Sequence, residues 1–230
     1  MIFFRLEFLF QETIILSKEE LEHLRSLRLY QEDKILEFRD AKGRSFFYAV
    51  QEKSNQGHLL ETKTNSMNEA SFSIASAIPQ NNRLDYLLQK NTELGISRFH
   101  FINFFQSERR EINLERSTKI ILEACIQSKR HSVPNIQLYP SLEKFLQVNP
   151  KSFFLNPKAK QDVNEIIDWE QIPIIGPEGG FREQELKTIQ ENNIPEFNLG
   201  SNILKIETAS VYLASILKYN LSSKIVKLDI

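Results

Sequence analysis

A chain of 230 residues with 41% hydrophobic content can bury a substantial core, in one large domain or two small ones. Its formal net charge of -1 and pI near 6.5 lack the strongly basic footprint of many nucleic-acid binders, so any grip on RNA must come from local patches. The single cysteine, Cys125, excludes an internal disulfide and a multi-cysteine metal cluster and fits a reducing, cytoplasmic setting. No stretch approaches the about 18 uninterrupted apolar residues of a membrane span, so neither a metal nor a membrane is expected.

The opening "MIFFRLEFLF" reads as an alternating strand rather than a signal peptide, because Arg5 and Glu7 interrupt the apolar run and no small-residue cleavage site follows. A helix is expected in "SKEELEHLRSLR", where Ser17 caps and Glu20 completes a capping box. The strands "KILEFRD" and "SFFYAVQEK" flank "AKGR", a hairpin turn. This half has the rhythm of a small β-barrel. The polar, aperiodic "TKTNSMNEAS" marks the boundary and gives domains at 1–69 and 70–230.

Past the boundary strands and helices alternate. "FSIASAI" is a strand, and "NRLDYLLQKNTELG" is a helix with Leu84, Leu87, Leu88 and Leu94 on one face and Gly95 at its stop. "RFHFINFF" is the next strand. "NLERSTKIILEACIQSKR" is a long helix burying Ile121, Leu122, Cys125 and Ile126, and the strands "SFFLN" and "IPIIG" lie either side of a polar connection. Such alternation predicts an α/β domain with a mostly parallel sheet, in which ligands bind at the carboxyl ends of strands.

Two strand ends are bare. "PIIGPEGGFREQEL" (Pro173–Leu186) carries Gly176, Gly179 and Gly180. Their spacing does not match the dinucleotide fingerprint, and no Lys-Ser or Lys-Thr pair follows as in a phosphate-binding loop. Pro177 donates no N–H, which disfavours an anion nest. Glycines without Cβ instead let the main chain lie against a flat, largely uncharged ligand such as an adenosine. About twenty residues on, "FNLGSNILKIETASVYLASILKY" opens a second strand end at Leu199-Gly200 before a helix starting near Glu207-Thr208, and two neighbouring ends of this kind can enclose one ligand.

"KNTELGI" (90–96), "SERR" (107–110), "EACIQSKRHSVPNI" (123–136), "IGPEGGF" (175–181) and "LGSNILKIETA" (199–209) together resemble the RsmE family, bacterial methyltransferases that modify a uridine at N3 in 16S ribosomal RNA. The order and spacing match across nearly the whole chain. The resemblance implies a PUA-like, RNA-binding β-barrel followed by a SPOUT domain with a parallel sheet and a trefoil knot, a homodimer, and 16S rRNA of the 30S subunit as partner. It also implies S-adenosylmethionine held in the knot by Leu155, Ile175, Gly176, Glu178, Gly179, Gly180, Leu199, Gly200, Ile203, Leu204 and Thr208. A non-catalytic assembly factor on the same scaffold, or a SPOUT methyltransferase with another RNA target, would share these features. The chain departs from the family pattern at Ser201, Asn202, Lys205 and Ile206, where proline, arginine, arginine and threonine are usual, and at Arg182, where serine is usual. Lysine keeps a charge at 205 but not the bidentate fork.

Methylation at N3 needs the imide proton removed or the uracil anion stabilised. Glu178 or Glu207 is the expected acceptor, with Arg109 or Lys205 stabilising charge on a uracil oxygen. Arg25, Arg28, Arg110, Lys129 and Arg130 are the expected phosphate contacts, the target base being extruded from its stack.

Overall fold

The computed structural model describes residues 1–6, 10–40, 42–64, 72–108, 110–165 and 171–226. It divides into two compact units, Met1–Asn68 with Cys125–Val133, and Glu69–Ala124 with Pro134–Ile230.

In the first unit, β1 (Ile2–Phe4), β2 (Thr13–Ile15), β3 (Lys34–Arg39), β4 (Arg44–Val50) and β5 (Gln56–Thr64) form a sheet ordered β1-β3-β4-β5-β2. The period-2 pattern of β3 and β4 puts Leu36, Phe38, Phe46, Tyr48 and Val50 on the face packed with Phe3, Ile14, Leu16 and Leu24. Helix α1 (Lys18–Ser26) starts as read from sequence: Ser17 Oγ accepts the Glu20 N–H at 3.2 Å, and Glu20 accepts the Ser17 N–H at 2.8 Å. The β3–β4 turn is held by Asp40, whose Oδ1 accepts the N–H of Lys42 and Arg44 at 2.8 and 3.1 Å, with Gly43 at φ 87°.

The opening strand is a correction. Strand β1 is confined to Ile2–Phe4 and runs parallel to β3, while residues 7–9 of the expected strand lie outside the described residues. Arg5 still donates its N–H to the Arg39 carbonyl at 3.0 Å, and its guanidinium is held by Glu20, at 2.8 and 2.5 Å, and by the Ile15 carbonyl at 2.9 Å.

The second unit carries β6 (Phe72–Ser76), α2 (Asn81–Leu94), β7 (Ile96–Ile102), α3 (Leu114–Gln127), β8 (Asn135–Tyr139), α4 (Leu142–Val148), β9 (Ser152–Leu155), β10 (Ile172–Ile175), α5 (Glu183–Glu191), β11 (Glu196–Phe197) and α6 (Ile206–Val226). The last residues of α3, from Cys125, group with the first unit. Every strand pair is parallel and the order is β11-β9-β10-β6-β7-β8. The chain builds outward from β6 through β7 to β8, then crosses to the other side and inserts β10 between β9 and β6. That reversal is a topological switch point, where α/β sheets open a crevice.

Helix α2 ends at Gly95, φ 105°, and is tied to α6 by the buried Asn91, whose amide donates to Ser210 Oγ at 2.9 Å. On α3, Ile121, Ala124 and Cys125 are buried while Leu122 and Ile126 are half-buried, so the apolar stripe is narrower than the sequence suggests. Among the described residues no helix is long and apolar enough to cross a membrane.

Burial of His100 on β7 gives a pH-dependent contribution to stability. It is 2% exposed, its Nδ1 lies 3.1 Å from the Tyr139 hydroxyl, and its Nε2 is buried without a hydrogen-bond partner. Burial, aided by the charge of Arg98, pushes its pKa down to about 4 from 6.5. The folded state therefore prefers neutral imidazole. Stability is fully present above the unfolded value and falls as pH drops from 6.5 towards 4, where the folded state protonates too. We expect about 2 kcal/mol less stability at pH 5 than at pH 7.5, with most of that slope absent in His100→Gln. Urea unfolding at the two pH values measures it, and equal slopes in both proteins would refute it.

Candidate active site

Three adjacent strands, β11, β9 and β10, end side by side, and the loops that follow them enclose a cavity of about 480 Å³. That volume lies within the range of small-molecule sites. Leu155, Ile175, Leu199, Ile203 and Leu204 give apolar walls, with Gly176, Glu178, Gly180 and Gly200 between them. Of the eleven residues the sequence points to as cofactor walls, all line the cavity except Gly179 and Thr208. Gly179 instead faces Gln106, whose Oε1 would sit 2.5 Å from a Cβ placed there.

Each glycine is required for its own reason. Gly180 and Gly200 have φ of 76° and 96° with open space beside them, so backbone conformation alone selects glycine. Gly176 is selected by contact: a Cβ would meet Phe181 Cζ at 2.6 Å. The Phe181 ring is wedged edge-on against Phe104 and Phe154, at centroid distances of 5.5 and 5.7 Å. The bare backbone at 176 thus leaves room for an aromatic floor.

At the mouth, two distant carboxylates meet on a residue the sequence reading did not single out. Arg83, in the first turn of α2, ion-pairs with Glu178 through Nη1, and its Nε lies 3.7 Å from Glu207 Oε1. Glu207 sits in the first turn of α6, its side chain 12% exposed, with Oε2 buried and lacking a hydrogen-bond partner. Arg83 therefore clamps the glycine loop, α2 and α6 together. The "NNRLDY" stretch carried one signal, a lone cation amid the helix's first turn.

The other predicted residues divide. Lys205 is exposed and does not line the cavity, although its carbonyl accepts the Ala209 N–H at 2.9 Å. Arg109 lies outside the described residues. Arg25, Arg28, Arg110 and Lys129 are exposed, Arg25 stacking 4.8 Å over the Tyr30 ring. Arg130 corrects the expectation of a phosphate contact: it is 6% exposed and donates to Ser132 Oγ at 3.1 Å, while its carbonyl accepts from Arg39 at 2.6 Å. That guanidinium is enclosed rather than offered to a ligand.

Arg182 does not cap α5 with its side chain. Buried Glu185 compensates, accepting the Arg182 N–H at 2.8 Å and the Phe105 N–H at 3.0 Å. Glu185→Ala strands both donors and should cost about 2 kcal/mol in chemical denaturation, with Glu185→Gln losing about half as much. An Ala variant as stable as the parent would contradict this role.

Residues 66–218 match the RNA methyltransferase domain family. The chain belongs to that family. Among its relatives, the ribosomal RNA small subunit methyltransferase E of Mesomycoplasma hyopneumoniae is 30% identical over 212 residues, covering 86% of this chain and 91% of that protein. The protein of the same name from Rickettsia conorii is 29% identical over 161 residues, and the match spans just under two thirds, 66%, of each. A Neisseria gonorrhoeae ribosomal RNA small subunit methyltransferase E, solved bound to S-adenosyl methionine, superposes with a TM-score of 0.82 at 26% identity, covering 95% of this chain and 96% of that one. The fold is accordingly α/β, a parallel-sheet SPOUT domain preceded by a PUA-like β domain.

Proposed function

We propose that this RNA methyltransferase transfers a methyl group from S-adenosylmethionine to N3 of a uridine in 16S ribosomal RNA of the small subunit. The observation that carries the reading is the glycine-lined cavity at the ends of β9, β10 and β11, in a chain that superposes over 95% of its length on a relative holding S-adenosyl methionine. The cavity fits that molecule. Its apolar walls and Cβ-free backbone suit the adenosine, and Glu178 adds a carboxylate to the lining.

Bound there, S-adenosylmethionine supplies an electrophilic methyl carbon on a sulfonium. The uridine N3 lone pair forms the new bond as the carbon–sulfur bond breaks, and the N3 proton must leave. Glu178 is the acceptor best placed, since it lines the cavity, and Glu207 backs it through their shared guanidinium. Arg83 positions both carboxylates. Arg25, Arg28 and Lys129 in the first unit and Arg110 in the second engage backbone phosphates. A homodimer is part of the proposal, supported by the exposed rings of Tyr86 on α2 and Tyr212 on α6, 47% and 42% exposed.

Calorimetric titration with S-adenosylmethionine, then mapping of reverse-transcription stops in ribosomal RNA from a deletion strain, tests the reading. A scaffold without chemistry would give no saturable uptake and no lost stop. A stop lost elsewhere would reassign the target.

A further inference from the structure

A second cavity, about 250 Å³, lies beyond the aromatic floor of the first, at the ends of β7 and β8. Phe104 lines it while Phe181 lines the cofactor cavity, and the two rings touch edge-on at 5.5 Å, so one aromatic pair separates the two spaces. At its edge Phe105 is 52% exposed, although it follows a strand whose other aromatics, Phe99 and Phe101, are buried to 1%. Arg182 stands 5.9 Å over the Phe105 ring, and Arg110 lines the cavity and is exposed, with no ion pair to any described residue. Of the carboxylates in the lining, Glu185 is spent on two backbone N–H groups and Glu143 accepts from Gln147. Asn103 and Gln184 add neutral amides.

A half-exposed aromatic ring with one cation over it and a second lining the same cavity, beside amide groups and room for one planar heterocycle, has the chemistry of a single-stranded nucleotide site: the base stacks and the cations take the phosphate. We propose that Phe105, Arg110 and Arg182 hold the nucleotide next to the one being methylated. The assignment rests on RNA being the substrate and adds a subsite to it. Stacking here would fix the strand's register and present the neighbouring base to the cofactor cavity across the Phe104–Phe181 wall.

The test uses the full chain and a fluorescein-labelled single-stranded decauridylate read by anisotropy, alongside calorimetry with S-adenosylmethionine. Phe105→Ala should weaken oligonucleotide binding about tenfold, Phe105→Tyr should restore it, and cofactor affinity should stay within about twofold in both. Unchanged RNA affinity in Phe105→Ala overturns the proposal, as does a parallel loss of cofactor binding, which would mark the ring as merely structural. Absence of RNA binding by the parent protein overturns it too. Absence of methyl transfer by a parent that still binds RNA through Phe105 would sink the proposed activity and leave the subsite standing.

Discussion

Gly176→Val should weaken S-adenosylmethionine binding at least about a hundredfold and lower stability by about 2 kcal/mol. A Cβ at 176 reaches Phe181 Cζ at 2.6 Å, inside any tolerable contact. The ring cannot retreat, because Phe104 and Phe154 meet it edge-on at 5.5 and 5.7 Å. It must either swing into the cavity or carry the 176–181 loop with it, and both take volume from the ligand. Gly180→Ala is the informative contrast. There the Cβ meets nothing within 4 Å and only the φ of 76° is strained, so about 1 kcal/mol of stability should go with a far smaller loss of affinity. Calorimetry and denaturation on the two variants separate the causes. A Gly176→Val protein that binds the cofactor normally would mean that the cavity is not the cofactor site.

The contrast also shows what could be read along the chain and what could not. Both glycine-bearing strand ends were legible, since a residue without Cβ at the end of an apolar run announces its own backbone requirement. The motif could not show that Gly176 answers to a ring and Gly180 to a dihedral angle, because Phe104 and Phe154 come from other strand ends. Strand β8 and helix α4 escaped for a different reason. Asn135, Gln137 and Leu138 are all exposed on an edge strand, which erases the alternation that marks half-buried strands, and α4 is only 7 residues long. The capping box at Ser17 was legible because it is purely local. Glu185 reaches the Arg182 N–H locally, three residues back, but its second bond, to the Phe105 N–H, comes from far away in sequence, and no local pattern records it.

Arg83 is the plainest residue of this kind, and its removal should cut methyl transfer about a hundredfold at saturating cofactor and RNA. Among the described residues its guanidinium is the one group that ties Glu178, on the glycine loop, to Glu207, at the start of α6. In Arg83→Ala, Glu178, with a side chain 42% exposed, loses its anchor and samples solvent. Glu207, 12% exposed with Oε2 already unpartnered, is left as an uncompensated charge. Arg83→Lys keeps the charge but presents one point rather than a fork, so it can hold one carboxylate at a time and should lose about tenfold. Cofactor affinity should change only severalfold, because Arg83 does not line the cavity. A mere fold-stabilising contact would lower both affinity and rate. If Arg83 works by holding Glu178, the Arg83→Ala, Glu178→Gln double variant should be little slower than the slower single variant. Losses that multiply would show the two residues acting separately, and a full rate in Arg83→Ala would remove the clamp from the mechanism.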